Sequence, residues 1–178
     1  MILSAAGRRI DGEGSGSPSF PLSNVPMVRR RVKALLESHG VTCLVSSAAC
    51  GADLIALSEA RALGLRLQIV LPYGRAEFRR SSVTDRPGDW GPLYDEILDG
   101  VEASGGLLVL DEPESDEAYR RVNHAILDSA LRLQRSLGQP GSAVRIWEGS
   151  PKPGCDLTGE FGDNARNLGM PVFEILTR

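Results

Sequence analysis

The sequence predicts an α/β fold, a three-layer α/β/α sandwich of the Rossmann-like type with a mostly parallel sheet of about six strands. Two observations carry this prediction. Short apolar runs alternate with helical patterns six times along the 178 residues. The apolar runs are continuous, as expected for strands that are covered on both faces of a parallel sheet. Because the chain is short and shows no internal repeat, we expect one domain over residues 1–178.

Glycine and proline residues mark the bounds of the predicted elements in the first half of the chain. A strand ends at Gly7, and a loop rich in glycine, serine and proline follows it to residue 23. Pro26 suits the first turn of a helix that ends near Gly40, and Gly64 ends the next helix. The predicted strands are residues 2–6, 42–46 and 65–71, and the predicted helices are residues 26–39 and 50–63.

Glycine and proline residues also mark the ends of the predicted elements in the second half of the chain. Pro72 ends the third strand, and a short helical segment at residues 76–81 precedes a turn at residues 86–88. Gly138 and Gly169 each follow a helical pattern directly, which is typical of a helix C-terminus. The predicted helices are residues 92–103, 115–137 and 156–168, and the predicted strands are residues 107–110, 143–147 and 172–176.

Composition excludes several classes of function. The net charge is −3, so the chain has no overall basic field that would attract nucleic acid. Cys43, Cys50 and Cys155 have no paired spacing, which favours reduced thiols and a cytoplasmic protein. We find neither a signal peptide nor an apolar run long enough to cross a membrane. No group of residues has metal-ligand spacing, and no cofactor is predicted.

Residues 44–53 are the most informative segment of the sequence. They read Leu-Val-Ser-Ser-Ala-Ala-Cys-Gly-Ala-Asp, and an apolar helical pattern follows them. A strand that turns into a helix through such small residues lets a ligand approach the backbone, and the free amides of the first helical turn favour a phosphate. In the alternative interpretation, Ser47 and Asp53 only cap the helix.

Other candidate residues follow the strands or lie near the start of a helix. Arg75 could clamp a phosphate or belong to a solvated basic surface, and Tyr119 and Asn123 share one face of a long helix. Glu59 could act in catalysis or in an ion pair. The candidate ligand-binding residues are Gly7, Arg8, Ser46, Ser47, Ala48, Gly51, Asp53, Pro72, Arg75, Tyr119 and Asn123, and the candidate catalytic residues are Glu59 and Asp111.

The same residues resemble the SLOG superfamily, which includes LOG-type phosphoribohydrolases, DprA-type DNA-processing proteins and nucleotide-sensing domains of bacterial conflict systems. Residues 46–53 are similar to the S-G-G-A-x-G-A-D turn of its small stand-alone members. Further matches to one bacterial subgroup are Phe78-Arg79, Ser81-Ser82-Val83, Trp90, Tyr119, Asn123 and Trp147. The resemblance covers nearly the whole chain and implies a nucleotide-type pocket and a homo-oligomer.

Two departures from the family pattern bear on activity. Ser46, Ser47 and Ala48 stand where the family usually has a glycine pair. Residues 110–115 lack the glycines of the P-G-G-x-G-T-x-x-E motif, so the catalytic glutamate of the phosphoribohydrolases has no counterpart.

The leading interpretation is therefore a module that binds a nucleotide or nucleotide-derived ligand, as a sensor or processing module in bacterial signalling or defence. The alternative is a phosphoribohydrolase or a nucleoside deoxyribosyltransferase-like enzyme, in which Glu59 or Asp111 stabilises an oxocarbenium-like centre. DNA binding of the DprA type is a third possibility, against which the acidic net charge argues.

Overall fold

Six parallel strands form the centre of the computed structural model, which describes residues 1–178. The strand order across the sheet is β4-β3-β2-β1-β5-β6, and every neighbouring pair is parallel. The predicted parallel sheet is thus confirmed. The strands are β1 (Ile2–Gly7), β2 (Cys43–Ser46), β3 (Arg66–Leu71), β4 (Leu107–Val109), β5 (Gly141–Trp147) and β6 (Val172–Leu176).

Helices cover both faces of the sheet. They are α1 (Val25–Ser38), α2 (Ala52–Ala62), α3 (Arg75–Phe78), α4 (Gly91–Ala103), α5 (Asp116–Leu137) and α6 (Leu157–Asn167). Helices α1, α2 and α4 pack on one face, and α5 and α6 pack on the other. This arrangement confirms the three predicted layers. None of these helices is both long and apolar enough to cross a lipid bilayer.

The alternation of side chains along each strand supplies two separate apolar cores. Leu3 and Leu44 point towards α1, α2 and α4, whereas their neighbours Ile2 and Cys43 point towards α5 and α6. Successive side chains of a strand lie on opposite faces, so only a continuous apolar run can fill both cores. The burial of β1 and β2 on both faces therefore explains why their sequences show no polar alternation.

Local sequence signals fix the ends of the longest helix. The Ser115 hydroxyl accepts a hydrogen bond from the amide of Ala118 at the start of α5, and Gly138 ends the helix with a φ of 62°. The predicted helix at residues 76–81 is instead divided. Helix α3 ends at Phe78, and a π-helical turn (Arg79–Val83) follows, closed by a hydrogen bond from the Thr84 amide to the Arg79 carbonyl.

The order of the strands places a crevice beside the end of β1. From β1 the chain adds β2, β3 and β4 on one side, and it then crosses to add β5 and β6 on the other. Ligands of open α/β sheets bind at such a reversal, outside the carboxyl ends of the strands. The residues that follow β1, β2 and β5 are therefore the ones that can line a site.

Two glycines allow the end of β1 to touch the start of α2. A Cβ atom on Gly7 would collide with the Cβ atom of Ala52 in α2, and one on Gly51 would lie 2.8 Å from the Arg8 carbonyl oxygen. Gly51 also has a φ of 96°, in the region that L side chains rarely adopt. The glycine of the turn is thus required by the protein's own backbone.

We expect the substitution Gly51→Ala to lower the free energy of unfolding by at least about 2 kcal/mol, because it adds both backbone strain and a collision with β1. The matched control is Gly100→Ala in α4, where a Cβ atom would meet nothing within 4 Å. That control should be neutral or stabilising by up to about 1 kcal/mol, as helix propensity predicts. Urea denaturation measures both, and equal effects of the two substitutions would contradict the assignment.

Candidate functional site

A cavity of about 530 Å³ lies at the carboxyl ends of β1 and β2. Its floor is formed by Gly7 and by the turn after β2, and one wall is formed by α5 and the start of α6. The loop after β1 contributes residues on the open side. Hydroxyl groups line much of the cavity, from Ser15, Ser17 and Ser19 in this loop and from Ser47, Ser82 and Tyr119 around the floor and wall.

About half of the candidate site residues predicted from the sequence line this cavity. The six that line the cavity are Gly7, Arg8, Ser47, Asp53, Tyr119 and Asn123. The seven that lie outside it are Ser46, Ala48, Gly51, Pro72, Arg75, Glu59 and Asp111. The predicted turn and the long helix α5 therefore do meet at one place, although several of their residues have other roles.

Three residues of the turn face the protein interior. The buried Ser46 hydroxyl donates a hydrogen bond to the Ala5 carbonyl oxygen at 3.1 Å, and Ala48 belongs to the apolar core. Gly51 packs against the backbone of Arg8 and Ile10. The sequence pattern identified the turn correctly but did not show which of its side chains point away from a ligand.

The remaining outlying residues are held by contacts elsewhere. Glu59 accepts a hydrogen bond from Arg29 of α1 at 2.7 Å, and Arg75 pairs with two carboxylates of α4. Asp111 follows β4, the edge strand, which is separated from β1 by two other strands. Pro72 accepts a hydrogen bond from the Glu112 amide beside that edge. Neither predicted catalytic carboxylate is therefore placed to act on a ligand in the cavity.

The start of α2 is not the open set of amides that the sequence predicts. The amide of Ala49 donates to the Asp53 carboxylate, that of Cys50 donates to the Ser82 carbonyl oxygen, and that of Ala52 donates to the Arg8 carbonyl oxygen. The chain's own acceptors thus occupy much of the turn. The amides of Arg9 and Ser47, both residues of the cavity lining, make no hydrogen bond within the chain. Donors for an anion therefore remain, but they lie beside the helix start.

Arg8 is neutralised by two carboxylates. Its Nε donates to Glu148 at 2.6 Å and its Nη1 donates to Asp156 at 2.5 Å, and the three side chains are only 6%, 6% and 8% exposed. The guanidinium lowers the pKa of both carboxyl groups against the opposing effect of their burial. Arg8 therefore joins the ends of β1 and β5 to the start of α6. Because this group of three side chains carries a net negative charge, Arg8 is not available to a phosphate.

Asp53 is a buried carboxyl group without an ion pair. It lies in the first turn of α2, is 8% exposed and faces the cavity floor. Burial raises its pKa to about 7, although hydrogen bonds from the Ala49 and Gly7 amides and the charge of Arg9 favour the ionised form. Arg9 is itself paired with Asp85. The cavity therefore contains a carboxyl group that gains or loses its proton near neutral pH.

A network of hydroxyl groups joins α5 to the opposite side of the cavity. The Tyr119 hydroxyl lies 2.7 Å from that of Tyr73 and 3.1 Å from that of Ser82, and Tyr73 also contacts Ser81. Burial raises the pKa of Tyr73 to about 12, so this group stays protonated. Next to Tyr119 on the same face, Asn123 donates to the Leu157 carbonyl oxygen, which fixes the orientation of its side-chain amide.

The sequence did not predict the two basic side chains of the cavity that could still bind an anion. Arg86 and Lys152 both line the cavity. Lys152 forms no ion pair, and the only salt bridge of Arg86 is a 3.5 Å contact with the neighbouring Asp85, which Arg9 also binds. Lys152 is one of only two lysines among twenty basic residues, yet nothing in its local sequence marks it as part of a site.

Asp11 organises the loop on the open side of the cavity. Its carboxylate accepts hydrogen bonds from the amides of Ser19 and Phe20, and its own amide donates to the Phe20 carbonyl oxygen. Phe20 is fully buried and anchors this end of the loop. The predicted glycine- and serine-rich loop is therefore fixed at both ends, and its serines are held beside the cavity.

Comparison with solved structures finds several likenesses, which include the following two. The first is DNA processing protein A (DprA) from Streptococcus pneumoniae, with a TM-score of 0.46 and 13% identity, over 96% of this chain and 57% of that one. The chain thus spans little more than half the length of that protein. The second is the Moco carrier protein from Chlamydomonas reinhardtii, with a TM-score of 0.33 and 14% identity, over 97% of this chain and 87% of that one. No protein-family model and no curated protein sequence matches the chain.

The parallel sheet, its helices on both faces and the turn of small residues between β2 and α2 are the features that the sequence resemblance implied. The Rossmann-like fold that the resemblance implied is therefore confirmed.

We expect Arg8→Gln to lower the free energy of unfolding at pH 7 by about 3–5 kcal/mol, because it leaves two buried carboxylates without their partner. A carboxyl group with a lowered pKa contributes stability that is lost as the pH falls through that pKa. The difference in the free energy of unfolding between the wild type and the variant should therefore become smaller in acid. Urea denaturation at pH 7 and at several pH values below 4 tests this. Arg30→Gln, which removes an exposed arginine without an ion pair, is the control and should change stability by less than about 0.5 kcal/mol.

We expect Asp53→Asn to remove a pH dependence of stability. A carboxyl group with a raised pKa contributes stability that is complete below about pH 4 and is lost as the pH rises through about 7. Between pH 4 and pH 8, the free energy of unfolding of the variant should therefore rise by roughly 3–4 kcal/mol relative to that of the wild type. This is the equivalent of a pKa shift of about three units. Denaturation across this range gives the difference, and Asp128→Asn, at an exposed position of α5, should show no such trend.

Proposed function

We propose that the chain binds a nucleotide or nucleotide-derived molecule in the cavity beside the end of β1. The observation that carries this proposal is a cavity of about 530 Å³ lined by hydroxyl groups and two basic side chains. Lys152 has no carboxylate partner, and Arg86 shares its single partner, Asp85, with Arg9. Pockets for small molecules have volumes of roughly 300–1,000 Å³. The cavity is thus large enough for a sugar with an attached phosphate and base.

The phosphate end of the ligand would lie near Arg86 and Lys152. A guanidinium group binds phosphate oxygens through paired hydrogen bonds, and a lysine contributes a mobile positive charge. The unpaired amides of Arg9 and Ser47 add donors on the same floor. This placement replaces Arg8 and Arg75, the basic residues that the sequence favoured.

The hydroxyl groups and the amide of α5 would bind the sugar or the base. Tyr119 and Ser82 each present an oxygen that both donates and accepts. The fixed side chain of Asn123 leaves its carbonyl oxygen free to accept a hydrogen bond. Polar groups of this kind suit a hydroxylated ligand better than a purely apolar one.

Binding is favoured over cleavage of an N-glycosidic bond. Glu59 lies in an ion pair with α1, and Asp111 follows the edge strand. Stabilisation of an oxocarbenium-like centre needs a carboxylate beside the reacting atom. Neither residue has that position relative to the cavity.

Isothermal titration calorimetry of the wild type against AMP, GMP, CMP and UMP tests the proposal. We expect at least one of them to bind, and we expect Lys152→Gln and Arg86→Gln each to weaken its affinity about tenfold, as the loss of one charge-assisted hydrogen bond predicts.

Arg75→Gln provides the matched control. It also removes an arginine, but that arginine pairs with α4 outside the cavity, so the affinity should stay within about twofold of the wild type. If no nucleotide binds, or if Arg75→Gln is as damaging as the other two substitutions, the proposal fails.

A further inference from the structure

We propose that the cavity takes up its anionic ligand together with one proton, and that Asp53 holds this proton on its side chain. The proposal rests on the proposed function, because it concerns the same cavity and the same class of ligand. The proton comes from solvent, and no covalent bond of the ligand changes. Protonation removes the negative charge on the floor and converts one carboxylate oxygen into a hydrogen-bond donor.

The geometry singles out Asp53 among the acidic groups of the site. Glu148 and Asp156 are paired with Arg8, and Asp85 is paired with Arg9. Asp11 binds the amides of its own loop. Asp53 forms no ion pair, and it accepts hydrogen bonds from the backbone amides of Ala49, at 3.3 Å, and of Gly7.

Arg9 offsets part of the charge of an ionised Asp53, but its guanidinium is shared with Asp85. Arg8 and Arg9 are held by the carboxylates just named, and Arg86 and Lys152 are the cations assigned to the ligand. Asp116 at the start of α5 adds negative charge, and Tyr119 is hydrogen-bonded within the hydroxyl network. Cys50 is buried, and burial raises the pKa of its thiol, so it remains neutral. Cys155 is exposed in the segment before α6.

The consequence for an anionic ligand follows from electrostatics. A phosphate over an ionised Asp53 would meet a like charge in a partly enclosed site, which is unfavourable. The bound phosphate therefore favours protonation of the carboxyl group beyond the effect of burial, which already raises its pKa to about 7. By linkage, a ligand that raises the pKa of Asp53 binds more tightly when Asp53 is protonated.

The experiment compares the wild type with Asp53→Asn, in which a neutral amide replaces the carboxyl group with little change in shape. AMP, GMP, CMP and UMP are titrated into both proteins by calorimetry between pH 6 and pH 9, in two buffers of different ionisation enthalpy. The second ionisation of the nucleotide phosphate, near pH 6, affects both proteins equally. The ratio of their affinities therefore isolates Asp53.

We expect the ratio of wild-type to variant affinity to fall at least tenfold between pH 7 and pH 9. We also expect the wild type at pH 8 to take up most of one proton per nucleotide bound, and the variant to take up none beyond that of the phosphate. A constant ratio across this range would overturn the proton coupling while leaving nucleotide binding intact. Absence of binding by the wild type at every pH would defeat the proposed function and this inference together.

A second measurement does not depend on the folding of the variant. Carbon-13 NMR of the wild type follows the carboxyl carbon of Asp53 during a pH titration, with and without saturating nucleotide. We expect the midpoint to rise by at least about 1.5 pH units when the nucleotide is bound, which is the shift that a tenfold fall in affinity requires. A midpoint that is unchanged or lowered would overturn the proposal.

Discussion

The close contact between the end of β1 and the start of α2 is the constraint on which the site depends. Gly7 and Gly51 leave no space for a Cβ atom, and the Ala52 amide donates directly to the Arg8 carbonyl oxygen. This contact fixes the floor of the cavity and buries Asp53 within it. The same contact occupies amides that would otherwise bind an anion, so the site has to draw its positive charge from elsewhere.

The distribution of charge follows from which arginines are already paired. Arg8 meets two buried carboxylates, and this group of three joins segments that are 140 or more residues apart in the sequence. Such a cluster holds the β5–α6 connection in place but contributes no net attraction for a phosphate. Arg86 and Lys152 approach from loops on the opposite sides of β1, where solvent reaches them. Positive charge therefore lies at the rim of the cavity, above a floor that is neutral only when Asp53 is protonated.

The sequence was sufficient to predict the layers, the parallel sheet and the turn between β2 and α2. These depend on local patterns, namely continuous apolar runs and glycine at the ends of helices. Partners in space are not encoded locally. Nothing near Glu59 reveals that Arg29 lies beside it, and nothing near Arg8 reveals Glu148 and Asp156. The position of Asp111 depended on the strand order, which places β4 at the edge of the sheet and thus away from the cavity.

The serines and alanines of the turn alter what the backbone can offer a ligand. A glycine pair would leave the peptide groups open, whereas here the Ser46 hydroxyl bonds the neighbouring strand and Ala48 fills the core below the turn. Both side chains stabilise the connection by using space under it. Only Ser47 and Ala49 remain at the surface of the cavity, and the Ala49 amide already binds Asp53. In the binding that we propose, recognition at this turn therefore depends on the protonation of a side chain, where a more open loop would depend on its amides alone.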